Sequence, residues 1–401
     1  MRAFDVVVCG GGPAGAASAI FLRRAGLGVL LLEKERFPRF HIGESLLPAA
    51  VPILHGLGIA PQQHFLSKHG ARFVIETAGG TDGERREMRY DFADAMGGTP
   101  DHAFQVERAH LDQLLLRRAA CEGVEVVEGA RVRKVGFSSH EAVVASDAGE
   151  HVARYVVDAT GSAALLGRRQ RTLVPLRGMG RAAVFQHFFG LAEPTARFLG
   201  QTGDIYVFVR PEGWVWAIPL RGRRLSVGAV VRDGVAREAC VGTAIAESPL
   251  LRRWVRGATC SPPRAVGSFS FRNRTQHGSR FVCVGDAGCF LDPVFSSGVT
   301  MALLAAERAS ARIVAAMARG DEADPVLQDP VMAELAAGYG LLQALILRFY
   351  GTKMVDNLFF AAAPDVRLRA GLVAILAGDL WRDDNPFARL LGRSRRLQQV
   401  V

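Results

Sequence analysis

Phe4-Asp5-Val6-Val7-Val8-Cys9 is short, apolar and β-branched, without alternation, the pattern of a strand buried on both faces of a parallel sheet. Gly10-Gly11-Gly12-Pro13-Ala14-Gly15 follows, and apolar positions at helical spacing then run to about Ala25, where Gly26 stops them. A second apolar run, Val29 to Leu32, ends in Glu33. Strand, glycine turn, helix and strand in about 30 residues predict a dinucleotide-binding βαβ unit.

Further on, residues 73–103 break into short strand-like pieces around a Gly-rich, charged middle, and a helix is predicted over Arg108 to Cys121. Strand patterns return at Val124–Val127, Arg131–Phe137, Ala142–Ser146 and Tyr155–Asp158. Residues 181–233 read as a long antiparallel region, with strands at Val184–Phe189, Ile205–Val209, Trp214–Pro219 and Leu225–Val231. Phe281–Val284 is another buried strand, ending at Gly285-Asp286, and a small-residue helix runs from about Val299 to Arg319. The predicted fold class is α/β: a three-layer Rossmann-like domain interleaved with an antiparallel β-sheet domain, plus C-terminal helices. The apolar residues of Leu341–Phe360 fall at helical spacing and predict core or lid packing.

Composition narrows the function classes. The chain has 401 residues, 49% hydrophobic and 22% charged, with a formal net charge of +10. Only four lysines (Lys34, Lys68, Lys134, Lys353) stand against 45 arginines. The densest arginine groups are Arg168, Arg169 and Arg171; Arg221, Arg223 and Arg224; Arg252, Arg253 and Arg256; and Arg393, Arg395 and Arg396. None is interleaved with aromatics in a recognition pattern, so no nucleic-acid partner is expected; a solvated surface or docking to an acidic partner is. The six cysteines form no CxxC pair and no metal cluster with histidine, so reduced thiols, a cytoplasmic location and no metal are expected. No signal peptide and no uncharged apolar stretch of 18 residues is visible, so no membrane span is expected either.

Chemistry concentrates in a few segments. Gly10-x-Gly12-x-x-Gly15 opens a predicted helix after a predicted strand, and Glu33 stands 18 residues beyond Gly15. The glycines and Ala14 let backbone approach a pyrophosphate, the helix N-terminus favours its charge, and Glu33 can accept from a ribose hydroxyl. Val157-Asp158-Ala159-Thr160-Gly161 closes one strand, Val282-Cys283-Val284-Gly285-Asp286-Ala287 another, and Arg108 opens a helix. In this order the segments resemble the FAD-binding fold of aromatic hydroxylases. That resemblance implies that Glu33 binds the adenosine ribose, that Arg39 and Arg108 lie along FAD, and that Asp286 holds the ribityl chain. It places the FAD-binding domain over 1–72, 104–167 and 272–320, the β-rich substrate domain over 73–103 and 168–271, and a C-terminal helical region over 321–401. No second glycine fingerprint is present for a nicotinamide cofactor, so FADH2 from a separate flavin reductase is expected.

Three further motifs narrow the family. Gly213-Trp214-Val215-Trp216-Ala217-Ile218-Pro219 puts two indoles on one face of a strand and is similar to the WxWxIP pattern of flavin-dependent halogenases. Lys68, in Ser67-Lys68-His69-Gly70-Ala71, resembles their Lys-x-Gly-Ala stretch. Asp292-Pro293-Val294-Phe295-Ser296-Ser297-Gly298-Val299 leads into a helix N-terminus, where free amides favour an anion. The resemblance implies that Trp214 and Trp216 bar substrate from the flavin, and that chloride or bromide sits by Ser297 and Gly298. It also implies that Val299 adjoins the cofactor and that the Lys68 amine, a role a guanidinium fills poorly, presents hypohalous acid to substrate. Tryptophan halogenases carry a glutamate where this chain has Phe295, and the resemblance implies that Phe295 lines the substrate pocket. With Phe37-Pro38-Arg39-Phe40-His41-Ile42-Gly43-Glu44-Ser45 upstream, the chain resembles the phenol and pyrrole halogenases. The expected reaction therefore takes FADH2, O2 and halide and modifies a small electron-rich aromatic, free or tethered to an acyl or peptidyl carrier protein. Alternatives are a geranylgeranyl reductase-like enzyme, a hydroxylating monooxygenase, and a flavoprotein that only docks a carrier protein.

Overall fold

The computed structural model describes residues 2–76, 85–179, 181–232, 239–267, 269–351, 360 and 365–393. Lys353, Arg395 and Arg396 lie outside these residues, as does part of the Leu341–Phe360 run.

The first sheet runs in the order His277–Gly278, Phe281–Cys283, Gly149–Asp158, Arg2–Cys9, Val29–Glu33, Glu125–Glu128. Its central pairs are parallel, with Val8 opposite both Val157 and Leu31. Val6 through Cys9 have no exposed surface, as the unalternating run predicts. One face packs against the helices Pro13–Arg24, Arg108–Cys121 and Gly298–Arg319. The other is covered by the hairpin Val132–Phe137 and Ala142–Ser146. The strand expected at Tyr155–Asp158 begins at Gly149, because its polar first half is the hairpin partner of Ala142–Ser146. Pattern reading misses that half because Gly149 to Val152 bury little apolar surface, although His151 and Val152 are paired on both sides.

A second sheet runs Thr259–Cys260, Arg181–Phe189, Arg224–Arg232, Gly213–Leu220, Ile205–Arg210, Gly70–Ile75, Arg86–Asp91. Its alternate residues split cleanly. Trp214, Trp216, Val207, Phe185 and Phe73 face the same core as the Rossmann helices. Val215, Ala217, Phe208 and Val227 face a smaller core closed by the helices Glu193–Gly200, Cys240–Glu247 and Pro249–Trp254.

The helix Asp329–Gly351 is long and apolar enough to cross a membrane by length and composition, although Asp329, Glu334 and Arg348 keep it from being an uncharged run of 18 residues. Its Leu335, Leu342, Leu345, Ile346 and Phe349 are buried in the main core, and it ends beside the tryptophan strand, so one apolar face of it is packed. Interruption of the apolar run by polar and charged residues hides this helix from a strict count.

Candidate active site

The glycine turn is built by steric necessity. Gly10 has φ +106°, and a Cβ there would meet Ala159 O at 2.4 Å; one on Gly15 would meet Gly10 O at 1.9 Å. The helix Pro13–Arg24 can seat against the strand only with these residues bare. Ala14 likewise fits because Gly285 lies against its methyl group. Glu33 is buried at the end of its strand and accepts from the Gly11 N–H at 2.6 Å and the Glu35 N–H at 2.8 Å. It therefore shapes the turn.

Arg39 and Arg108 converge on a residue that the sequence motifs did not single out. Arg108 donates to Asp112 through Nε at 2.8 Å and Nη2 at 2.9 Å, and Arg39 Nη1 lies 2.9 Å from the same carboxylate. Burial opposes the charge on Asp112, but the Arg108 guanidinium, helped by Arg39, holds its pKa below the usual carboxylate range. The signal was present as an i,i+4 Arg–Asp pair on one helix. Asp286 is driven up to about 6 by burial, with Arg108 pulling the other way. It still keeps accessible surface, as does His41, which burial and then Arg108 push down to about 4. Both groups are therefore crowded by protein yet within reach of a bound molecule. With the bare glycine turn, Glu33 and the anchored arginines, this donor set fits a dinucleotide such as FAD.

Trp214 and Trp216 share a face with ring centroids 5.7 Å apart. Trp216 donates to Ser226 Oγ at 3.1 Å and lies over Gly228, where a Cβ would sit 2.2 Å from the indole. Trp214 Nε1 donates to Tyr350 Oη at 2.8 Å, and the Tyr350 hydroxyl donates to Asp292 Oδ2 at 3.0 Å. Asp292, pushed up to about 6 by burial, also caps the short turn Pro293–Phe295 by accepting from the Val294 N–H. The tryptophan wall, the C-terminal helix and the Asp292–Val299 loop are thus tied by one hydrogen-bond chain. Sequence reading missed Tyr350, since nothing local links residues 136 positions apart. Ser297 is buried and precedes the helix Gly298–Arg319; among the described residues no side chain caps that helix.

Lys68 is 1% exposed, on the three-residue strand Leu66–Lys68, which pairs with Ala103–Gln105. Its amine donates to the Leu46 carbonyl at 2.8 Å and lies 5.2 Å from the centre of the Phe92 ring. Among the described residues no carboxylate pairs with it. Burial lowers its pKa to about 7, against a smaller upward pull from Asp204. No hydrogen bond or ion pair among the described residues joins Lys68 to Ser297 or Gly298.

A profile of the tryptophan halogenase family matches residues 5–79 and 75–383. The chain belongs to this family of flavin-dependent halogenases. It is 32% identical over 382 residues to a tryptophan 2-halogenase of Chondromyces crocatus, covering 89% of this chain and 70% of that one. It is 30% identical over 407 residues to a 1H-pyrrole-2-carbonyl-[peptidyl-carrier protein] chlorinase of Pseudomonas fluorescens, covering 94% of this chain and 90% of that one. Among solved structures, a flavoprotein/dehydrogenase from Cytophaga hutchinsonii superposes with TM-score 0.86 at 26% identity, covering 99% of both chains. The flavin-dependent brominase Bmp2 follows at TM-score 0.83 and 25% identity, again over 99% of both chains. Membership makes the protein an FAD-dependent oxidoreductase-type enzyme on a Rossmann-like fold. Within the halogenase frame, Phe295 is 5% exposed and sets its ring edge-to-face on Phe349, 5.8 Å away, so an aromatic pair stands there and no carboxylate.

Proposed function

We propose that this halogenase installs chloride or bromide on an electron-rich aromatic, a phenol or pyrrole either free or carried on an acyl or peptidyl carrier protein. The observation that carries the reading is Lys68: an amine sealed from water, held by one backbone carbonyl, and near neutrality at physiological pH. A lysine serving stability would be paired or exposed. Glu33, Arg39, Arg108 and Asp286 hold FAD along the glycine turn, with Gly10, Gly12, Ala14, Gly15 and Val299 as its close backbone walls. When bound and reduced, the flavin supplies with O2 the two-electron oxidation that turns halide into hypohalous acid. The amides of Ser297 and Gly298 hold the halide, and Trp214 and Trp216 keep the aromatic substrate away from it. Lys68 then presents the halogen to the ring in a separate chamber, with Phe295 on its wall. A separate reductase delivers the reduced flavin. Free cysteines throughout the described residues support a cytoplasmic setting.

Purified protein supplied with FAD, a flavin reductase, O2 and bromide is to be screened on free and carrier-tethered phenols and pyrroles by mass spectrometry. A bromine isotope pattern on product, lost in Lys68→Ala with flavin still bound, is the expected result. The likeness to the Cytophaga flavoprotein/dehydrogenase favours a second reading, a flavin-dependent oxidoreductase that does not halogenate. Substrate reduction that needs no O2, with no halogenated product, would replace the first reading with the second.

A further inference from the structure

Lys68 belongs to a small sheet with more unsatisfied chemistry than its size warrants. Ser45 bridges Gln105, Gln105 pairs with Leu66, and Lys68 pairs with Ala103. Side chains alternate along a strand, so Ser45, Gln105 and Lys68 stand on the same face. Ala103, directly opposite Lys68, offers only a methyl group, and the lysine chain crosses the sheet to reach the Leu46 carbonyl, one residue beyond Ser45. Gln105 donates from Nε2 to the Gly203 carbonyl at 2.8 Å. A carbonyl only accepts, so this bond fixes the orientation of the amide and turns Oε1 the other way. Gln105 Oε1 and Ser45 Oγ are both buried without a partner among the described residues, and the Lys68 amine has further N–H groups beyond the one given to Leu46. Three polar groups on one buried face, none bonding another, keep hydrogen-bonding capacity that a small molecule able both to donate and to accept would satisfy.

We infer that Gln105 and Ser45 join Lys68 in a clamp for hypohalous acid, with Gln105 Oε1 accepting its O–H and the Lys68 amine donating to its oxygen. This rests on the halogenase reading above. The clamp takes every polar site of the molecule and leaves the halogen as its free end. On transfer, the ring's π electrons form the carbon–halogen bond and the oxygen–halogen bond breaks with its pair on oxygen. The protonated Lys68 amine gives that oxygen a proton, releasing water. The ring then loses its own proton, which restores the ammonium. An amine near pH 7 serves both directions. Ser45 supplies a hydroxyl that donates or accepts as the pair requires.

The test uses Gln105→Leu, Gln105→Glu and Ser45→Ala in flavin-loaded enzyme. Bromide, a phenol substrate and monochlorodimedone, which scavenges escaped hypohalous acid, are present together. The readout is the ratio of brominated substrate to brominated scavenger. Gln105→Leu is expected to lower that ratio at least ten-fold and Ser45→Ala two- to three-fold. A ratio equal to wild type in Gln105→Leu overturns the clamp. Bromination of neither compound by wild type overturns the halogenase reading, and the clamp with it. A second readout needs no turnover: with four lysines in the chain, the Lys68 Cε resonance in ¹³C-lysine protein reports its titration. Gln105→Leu should move that titration down in pH and Gln105→Glu should move it up. Titrations unmoved in both variants refute the shared site, and Gln105→Glu keeps the test open if the leucine variant does not fold.

Discussion

Lys68→Met removes the amine while keeping an unbranched chain of similar volume, and it tests whether the site stores strain. In an unfolded chain the amine titrates at 10.5, in the fold at about 7, because burial penalises its charge. At about 1.4 kcal/mol per pH decade, that gap corresponds to about 5 kcal/mol. Between pH 7 and 10.5 the unfolded chain binds more protons than the folded one, so wild-type stability rises with pH through that window. Below pH 7 both states carry the proton and the full penalty remains. Lys68→Met should therefore be more stable than wild type by up to about 5 kcal/mol at pH 6, an advantage shrinking to about 2 kcal/mol at pH 9. The pair is to be compared by urea unfolding of flavin-free protein at pH 6, 7.5 and 9. The same variant should lose halogenation. A wild type as stable as the methionine variant, or a difference that does not fall with pH, would refute the idea that Lys68 is a strained group kept for chemistry.

Asp112→Asn takes the shared counter-charge from Arg39 and Arg108. Breaking a buried pair costs about 3–5 kcal/mol, and weaker FAD retention on dialysis together with a lower melting temperature should follow. Tyr350→Phe strands the Trp214 indole N–H and the Asp292 carboxyl. At about 1–3 kcal/mol per unpaired buried group, destabilisation by urea and a shifted tryptophan emission are expected. Gly15→Ala drives a Cβ into Gly10 O and should yield protein that binds no flavin, read directly from its visible absorbance. Gly228→Ala displaces Trp216 and should raise the share of hypohalous acid consumed by bulky phenols outside the lysine site.

The parallel strands, the glycine turn, the helix Arg108–Cys121 and the tryptophan strand are legible along the chain. Each is a local pattern: an apolar run, a turn only glycine can make, or an alternation that sets one face to the core. Strand ends shift by a few residues because backbone ladders continue past the last apolar side chain, as in Arg181–Phe189, expected from Val184. The lysine strand Leu66–Lys68 is too short to carry a period, so residue chemistry and family likeness singled out Lys68 where pattern did not.

Which residues support those side chains is another matter. Asp112 under the two arginines, Tyr350 between Trp214 and Asp292, and Gln105 and Ser45 beside Lys68 come together through sheet register and helix packing. Their partners are 73, 136, 58 and 60 positions away in the chain for Arg39–Asp112, Trp214–Tyr350, Asp292–Tyr350 and Ser45–Gln105. Residue order carries the types that the chemistry needs, because a phosphate cradle or a nucleophilic amine depends on what a side chain is. Protonation, orientation and unsatisfied valence depend on what surrounds it. Only the packed fold brings those surroundings together, and only there does Lys68 become a buried amine poised near neutrality.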